Sequence, residues 1–250
     1  MNVLALIGGE EFAPGFENVH AELVRMTGKP KPRVVFLPTA ASHDGAHVAS
    51  NWCKRAQKLL SDAGAVVDAP LVIDQASAND ERNAARLDDA DMLYLGGGLP
   101  HILIETLAGT RVLDAFWRAV ERGTMIAGAS AGAMAMAERA LVINTAAMQM
   151  ITAAVSATIG APMPKIEFVQ AYKLVPRAIV SPHFERMPMQ TKLYERGFYP
   201  HELTLIGIDE QTALVKNENA WRVLGKGSVT IGQNGALKKY RAGDEVKLYD

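Results

Sequence analysis

Seven short apolar runs punctuate the first 210 residues of the chain: "NVLALIGG", "RVVFLPTA", "DAPLVID", "ADMLYLGGG", "TMIAGAS", "RAIVSPH" and "LTLIGIDE". Their apolar residues are mostly consecutive rather than alternate, so a strand made from them must be covered on both faces. Between them lie stretches such as 45–63 ("GAHVASNWCKRAQKLLSDA") and 111–121 ("RVLDAFWRAVE"), whose apolar residues recur at intervals of three and four and predict helices. Strands alternating with helices predict an α/β fold with a doubly wound, mostly parallel sheet. Beyond residue 212 the texture changes to short β-rich runs broken by Asn-Glu-Asn, Gly-Lys-Gly and "QNGA", which predict C-terminal β-hairpins. Residues 1–250 read as a single domain, with 212–250 its β-rich extension. Residues 144–176 carry several methionines and no clear period, and read as a partly helical loop or a lid over the site.

Composition excludes several classes. The chain has 250 residues, 49% of them apolar and 21% charged, with a formal net charge of −1, so neither a nucleic-acid surface nor a membrane surface is expected. No apolar run approaches the roughly 20 residues that span a bilayer. The single cysteine, Cys53, has no internal disulfide partner, and the N-terminal residues lack a basic segment with a cleavage site, so the expected location is cytoplasmic. "KPKPR" at 29–33 reads as a solvated loop, and Trp52, Trp117 and Trp221 read as packing residues.

The stretch "MIAGASAGAMAMAERA" (125–140) places one serine among small residues just after an apolar run. "GASAG" fits G-x-S-x-G, and its setting fits the mechanics of a nucleophile elbow: a strand, a tight turn tolerant of strain, then a helix. Ser130 is then exposed at the carboxyl end of a strand, where open α/β sheets carry their sites. The plain alternative is a helix N-cap serine with small residues for close packing. "YLGGGLPH" (94–101) is a second strand running into a turn at the same end of the sheet. The N–H groups of Ala131 and Gly98 are therefore candidates for an oxyanion hole. Neither "IGGEEFAPG" (7–15) nor "GGGLPH" (96–101) gives a dinucleotide fingerprint, and no Walker motif is present, so no cofactor is expected and no metal is assigned.

A serine nucleophile needs a base. Of six histidines, His20, His43, His47 and His101 precede the serine, and His183 and His201 follow it. His183 ends the strand-like "AIVSPH" and is the best-placed candidate. "LIGIDEQTALV" ends another strand with Asp209 and Glu210. Adjacent residues on an extended chain face opposite ways, so one of them orients the imidazole, with Glu210 preferred and Asp209 the alternative.

The set "YLGGG", "GASAGAMAM", "SPHFER" and "GIDEQTALV", in that order, resembles the serine peptidases that include peptidase E, an aspartyl dipeptidase, and cyanophycinase. The resemblance covers residues 1 to about 232. It implies a fold like that of class I glutamine amidotransferases, flavodoxin-like, with serine in place of the nucleophilic cysteine. It also implies Ser130 as nucleophile, His183 as base, Glu210 as acid, and Gly98 and Ala131 as oxyanion donors. Cyanophycinase-like members tend to carry an acidic residue and a glutamine before the histidine and several arginines after it. Here those places hold Ser181, Pro182, Met187, Pro188, Met189 and Lys192. Arg186 is the nearest cation, and Leu99 stands where the family has a polar residue, which makes these two the candidate substrate contacts.

The predicted function is hydrolysis of an amide bond in a small peptide through an acyl-enzyme, with a homodimer left open as the assembly. The alternatives are a catalytically silent or binding member of the same fold, and an esterase. An α/β-hydrolase esterase is disfavoured by chain order, because no histidine follows Glu210.

Overall fold

A computed structural model of the chain describes residues 3–142, 167–218 and 220–248. Among these, the strands form two sheets. In the first, β1 (Leu4–Ile7), β2 (Arg33–Leu37), β3 (Val66–Asp68), β4 (Met92–Leu95) and β5 (Met125–Ala129) run parallel in the order β3-β2-β4-β5-β1. Past β1 the same sheet continues antiparallel through β10 (Thr212–Asn217), β11 (Ala220–Gly225) and β14 (Glu245–Val246). The second sheet has the order β7 (Phe168–Gln170), β6 (Ala137–Leu141), β8 (Val175–Ser181), β9 (Thr204–Ile208), β12 (Ser228–Gln233) and β13 (Ala236–Arg241). Its inner pairs β6·β8 and β8·β9 are parallel. The C-terminal hairpins are therefore divided: β10 and β11 extend the first sheet, and β12 and β13 extend the second.

Successive strand side chains point to opposite faces, and both faces of the first sheet are apolar. Ala5, Ile7, Val34, Phe36, Met92 and Tyr94 pack on one side against α1 (Glu17–Met26) and α2 (Ala46–Asp62), which contribute Val19, Leu23, Cys53, Ala56 and Leu60. Leu4, Leu6, Val35, Leu37, Leu93 and Leu95 face the other way, into a core shared with α3 (Gln75–Asn79), α4 (Glu81–Ala85), α5 (Pro100–Leu107), α6 (Arg111–Arg122) and α7 (Ala131–Met136). The same core takes in Val175, Ala178, Val180 and Ile206 from the second sheet, so it is continuous between the two. Helix α6 is delimited by its ends: the Thr110 hydroxyl accepts the Leu113 N–H, and Gly123 closes it in the left-handed conformation at φ 88°. Phe116 on its buried face is fully enclosed, and truncation to alanine costs about 3–5 kcal/mol.

Two expectations are corrected or left aside. The run "DAPLVID" is not a strand: the strand lies just before it, at Val66–Asp68, where β2 offers pairing partners. Pro70 has no N–H to continue that ladder, and Val72 donates back to its carbonyl in a tight turn. Of the stretch 144–176, residues 144–166 lie outside the described residues, and 168–170 form β7. No described helix is long and apolar enough to cross a membrane.

Candidate active site

Strand β5 ends at Ala129, and α7 begins at Ala131, leaving Ser130 alone to make the turn at φ 49° and ψ −111°. A non-glycine residue there is strained by about 1–3 kcal/mol and persists only where its surroundings over-determine it. Of the eight non-glycine residues with positive φ among those described, Glu10, Ser130, His183 and Gln211 belong to the segments that meet here. The small residues after the serine have a steric role. A Cβ at Gly132 would come within 2.2 Å of the Leu95 carbonyl oxygen, so α7 packs directly on the end of β4.

His183 follows β8 and Glu210 follows β9, so the second sheet brings these side chains to a serine carried by the first. Ser130 Oγ and His183 Nε2 are 3.1 Å apart, and His183 Nδ1 and Glu210 Oε1 are 2.8 Å apart. The carboxylate can only accept, which assigns the proton to Nδ1 and leaves Nε2 to accept from the serine hydroxyl. Glu210 is well shielded, its side chain 11% exposed, whereas His183 remains open at 31%. Asp209 is held elsewhere: it is buried, and its Oδ2 accepts the N–H of Ser228 at 2.9 Å.

Three consecutive carbonyls at the end of β1 hold these segments in register. Ile7 O accepts the N–H of Ser130 at 2.9 Å, Gly8 O that of His183 at 2.8 Å, and Gly9 O that of Gln211 at 2.9 Å. Gly9 also has φ 120°, and a Cβ there would stand 2.2 Å from His183 Cε1. Only glycine lets the chain pass under the imidazole. Sequence reasoning missed this pair. The signal was the double glycine closing "LALIGG", set aside there because it makes no dinucleotide fingerprint.

The glycine turn after β4 lies on the other side of the serine. A Cβ at Gly97 would be 3.4 Å from Ser130 Cβ and 3.2 Å from the Trp52 ring. Gly98 has φ 134° with the Ala40 carbonyl 2.1 Å from its own hypothetical Cβ, and Leu99 donates its N–H to that carbonyl at 2.9 Å. Leu99 is thereby the residue before α5, half-buried. Ala131 is the first residue of α7, where an N–H has no acceptor within the helix.

Charges cluster around the acid. Arg186 Nε donates to Glu210 Oε2 at 2.7 Å, and the Glu210 N–H lies 3.1 and 3.0 Å from the two carboxylate oxygens of Glu185. Partial burial, with Asp209 and Glu210 nearby, pushes the Glu185 carboxyl above its usual range. Beside the β1 turn, burial raises Glu11 to about 7 and lowers His20 to about 4, and among the described residues neither the Oε1 of Glu11 nor either ring nitrogen of His20 has a hydrogen-bond partner. Sequence reasoning gave no sign of this buried pair. Burial in α2 raises the Cys53 thiol to about 11, which keeps it an unreactive thiol. Among the described residues no three His, Cys, Asp or Glu side chains converge as a metal site.

The model of peptidase family S51 matches residues 4–224. The chain belongs to peptidase family S51. It is a serine-type peptidase, as the order of its motifs implied. This S51 chain is similar to the cyanophycinase of Trichormus variabilis, with 26% identity over 232 residues, 92% of this chain and 72% of that protein. It is also similar to a peptidase E of Streptomyces coelicolor, with 31% identity over 134 residues, 53% of this chain and 49% of that one. The crystal structure of a peptidase from an acI-B1 Actinobacterium shares the fold: TM-score 0.78 at 23% identity, covering 98% of this S51 chain and 96% of the other.

Proposed function

We propose that this peptidase hydrolyses an amide bond of a small peptide through a Ser130–His183–Glu210 triad and an acyl-enzyme. The observation that carries the reading is the unbroken line from Ser130 Oγ to Nε2 at 3.1 Å and from Nδ1 to Glu210 at 2.8 Å. His183 takes the hydroxyl proton as Ser130 Oγ attacks the carbonyl carbon, and Glu210 stabilises the imidazolium that forms. The negative oxygen of the tetrahedral species is received by the N–H groups of Ala131 and Gly98, a role supported by the helix start at Ala131 and the turn beside Ser130. His183 then passes the proton to the leaving amine, and the C–N bond breaks. Water, deprotonated by the same imidazole, releases the acyl group and restores the serine.

Fluorophosphonate labelling followed by intact mass, combined with turnover of a dipeptide library by the parent and Ser130→Ala, tests this. The expected result is one adduct at Ser130 and a rate loss of several orders of magnitude in the variant. Unchanged turnover in Ser130→Ala would sink the reading, and absence of labelling would favour a silent member of the fold.

A further inference from the structure

Glu185 and Arg186, the second and third residues after His183, both turn back onto Glu210. Phe184–Arg186 form a single 3-10 turn, with the Arg186 N–H donating to the His183 carbonyl at 3.0 Å. From this turn Glu185 accepts the main-chain N–H of Glu210, and Arg186 donates to Oε2, the carboxylate oxygen that His183 leaves free. One short segment thus carries the imidazole and grips the acid at both its backbone and its side chain.

We infer that Arg186 and Glu185 are positioning residues that fix the Glu210 carboxylate against His183, and that Arg186 is thereby withheld from recognising an anionic substrate side chain. The inference rests on the triad reading and goes beyond it. A carboxylate with one partner can rotate about its last torsion, which is broad, and swing its hydrogen bond away from Nδ1. With His183 on Oε1 and Arg186 on Oε2, both oxygens are occupied, and rotation breaks a charge-assisted bond. The guanidinium also sets the local field. The charged or titratable groups facing Glu210 are His183, Arg186, Glu185 and Asp209, so Arg186 is the fixed cation among them. A fixed positive charge opposes formation of the imidazolium, and removing it shifts the demand for neutral imidazole to higher pH. Arg186 itself is 70% exposed, so its influence weakens as salt screens it.

The test uses the full chain, a neutral fluorophosphonate, and the p-nitroanilides of alanine and aspartate as probes. The labelling reaction forms the Ser130 Oγ–P bond and expels fluoride, and so reports on the nucleophile without requiring a particular side chain. Arg186→Met should label about threefold more slowly than the parent, with the concentration for half-saturation unchanged. The pH at which its rate rises should lie above the parent's. Arg186→Lys should recover part of the rate, and Glu185→Gln should lie between parent and Arg186→Met. Added salt should slow the parent and leave Arg186→Met unaffected. A labelling rate and pH midpoint identical to the parent would overturn the inference, as would a loss confined to KM for the aspartate probe, which would make Arg186 a substrate anchor. A parent that fails to label at Ser130 would instead remove the triad reading, and this inference with it. A thermal midpoint within a few degrees of the parent certifies each variant as folded.

Discussion

Asp209 and Glu210 are neighbours in the chain and serve different elements: Asp209 Oδ2 accepts the Ser228 N–H at 2.9 Å, and Glu210 Oε1 meets His183 Nδ1 at 2.8 Å. Their substitutions should therefore separate stability from catalysis. Asp209→Ala leaves a buried N–H at the start of β12 unpaired and should cost about 1–3 kcal/mol in chemical denaturation with kcat little changed. Glu210→Gln keeps the shape but disturbs the imidazole tautomer, and should lower kcat roughly 10²–10⁴-fold. Similar kinetics in the two variants would contradict the division.

The backbone at Ser130, at φ 49° and ψ −111°, is strained for any residue with a Cβ. Ser130→Gly should abolish hydrolysis as completely as Ser130→Ala and yet unfold at higher denaturant, by about 1 kcal/mol. Equal midpoints for the two variants would show that the turn stores no strain.

Gly9→Ala should displace the His183 ring, because the added Cβ would stand 2.2 Å from Cε1. A misplacement of this size lowers kcat about a hundredfold. Gly109→Ala is the matched control: φ is +68° and nothing lies within 4 Å, so it should cost about 1 kcal/mol of stability and no activity. Comparing kcat and denaturation midpoints for the pair checks whether crowding, rather than backbone conformation, is responsible.

Glu11 and His20 pull the stability of the fold in opposite directions over nearly the same pH range. Glu11 holds its proton to about pH 7 when folded against an ordinary 4.5, so stability falls as pH rises through that window, by up to about 3 kcal/mol. His20 excludes its proton down to about pH 4 against an ordinary 6.5, so its contribution is lost as pH falls from 6.5 towards 4. The two slopes oppose and largely cancel in the parent, so Glu11→Gln should unmask the His20 slope, with stability rising as pH goes from about 4 to 6.5. Melting curves from pH 4 to 8 for parent and variant measure this directly.

The alternation of strands and helices was legible because apolar runs covered on both faces have few other solutions, and the placement of Ser130, His183 and Glu210 just after strands was legible because each ends such a run. The division into two sheets was not, since nothing local in "RAIVSPH" or "LTLIGIDE" says that β8 pairs with β6 rather than with β1. Strand β3 was misplaced because "LVI" after Pro70 is the more apolar run, while pairing is decided by where β2 offers partners. The partners of Arg186 were equally hidden. A cation three residues beyond the histidine can reach substrate or acid, and only the fold of 184–186 chooses between them.

The carbonyls of Ile7, Gly8 and Gly9 take one N–H each from the serine, histidine and acid segments. Those segments come from positions near 130, 183 and 211, far apart in the chain, and are indexed by one edge only three residues long. A slip of one residue along that edge would misplace all three together, so the line from Ser130 to Glu210 is assembled whole or not at all. During folding, the ability of Ser130 to react with a phosphonate therefore reports the docking of the first strand, and should appear in a single step with it.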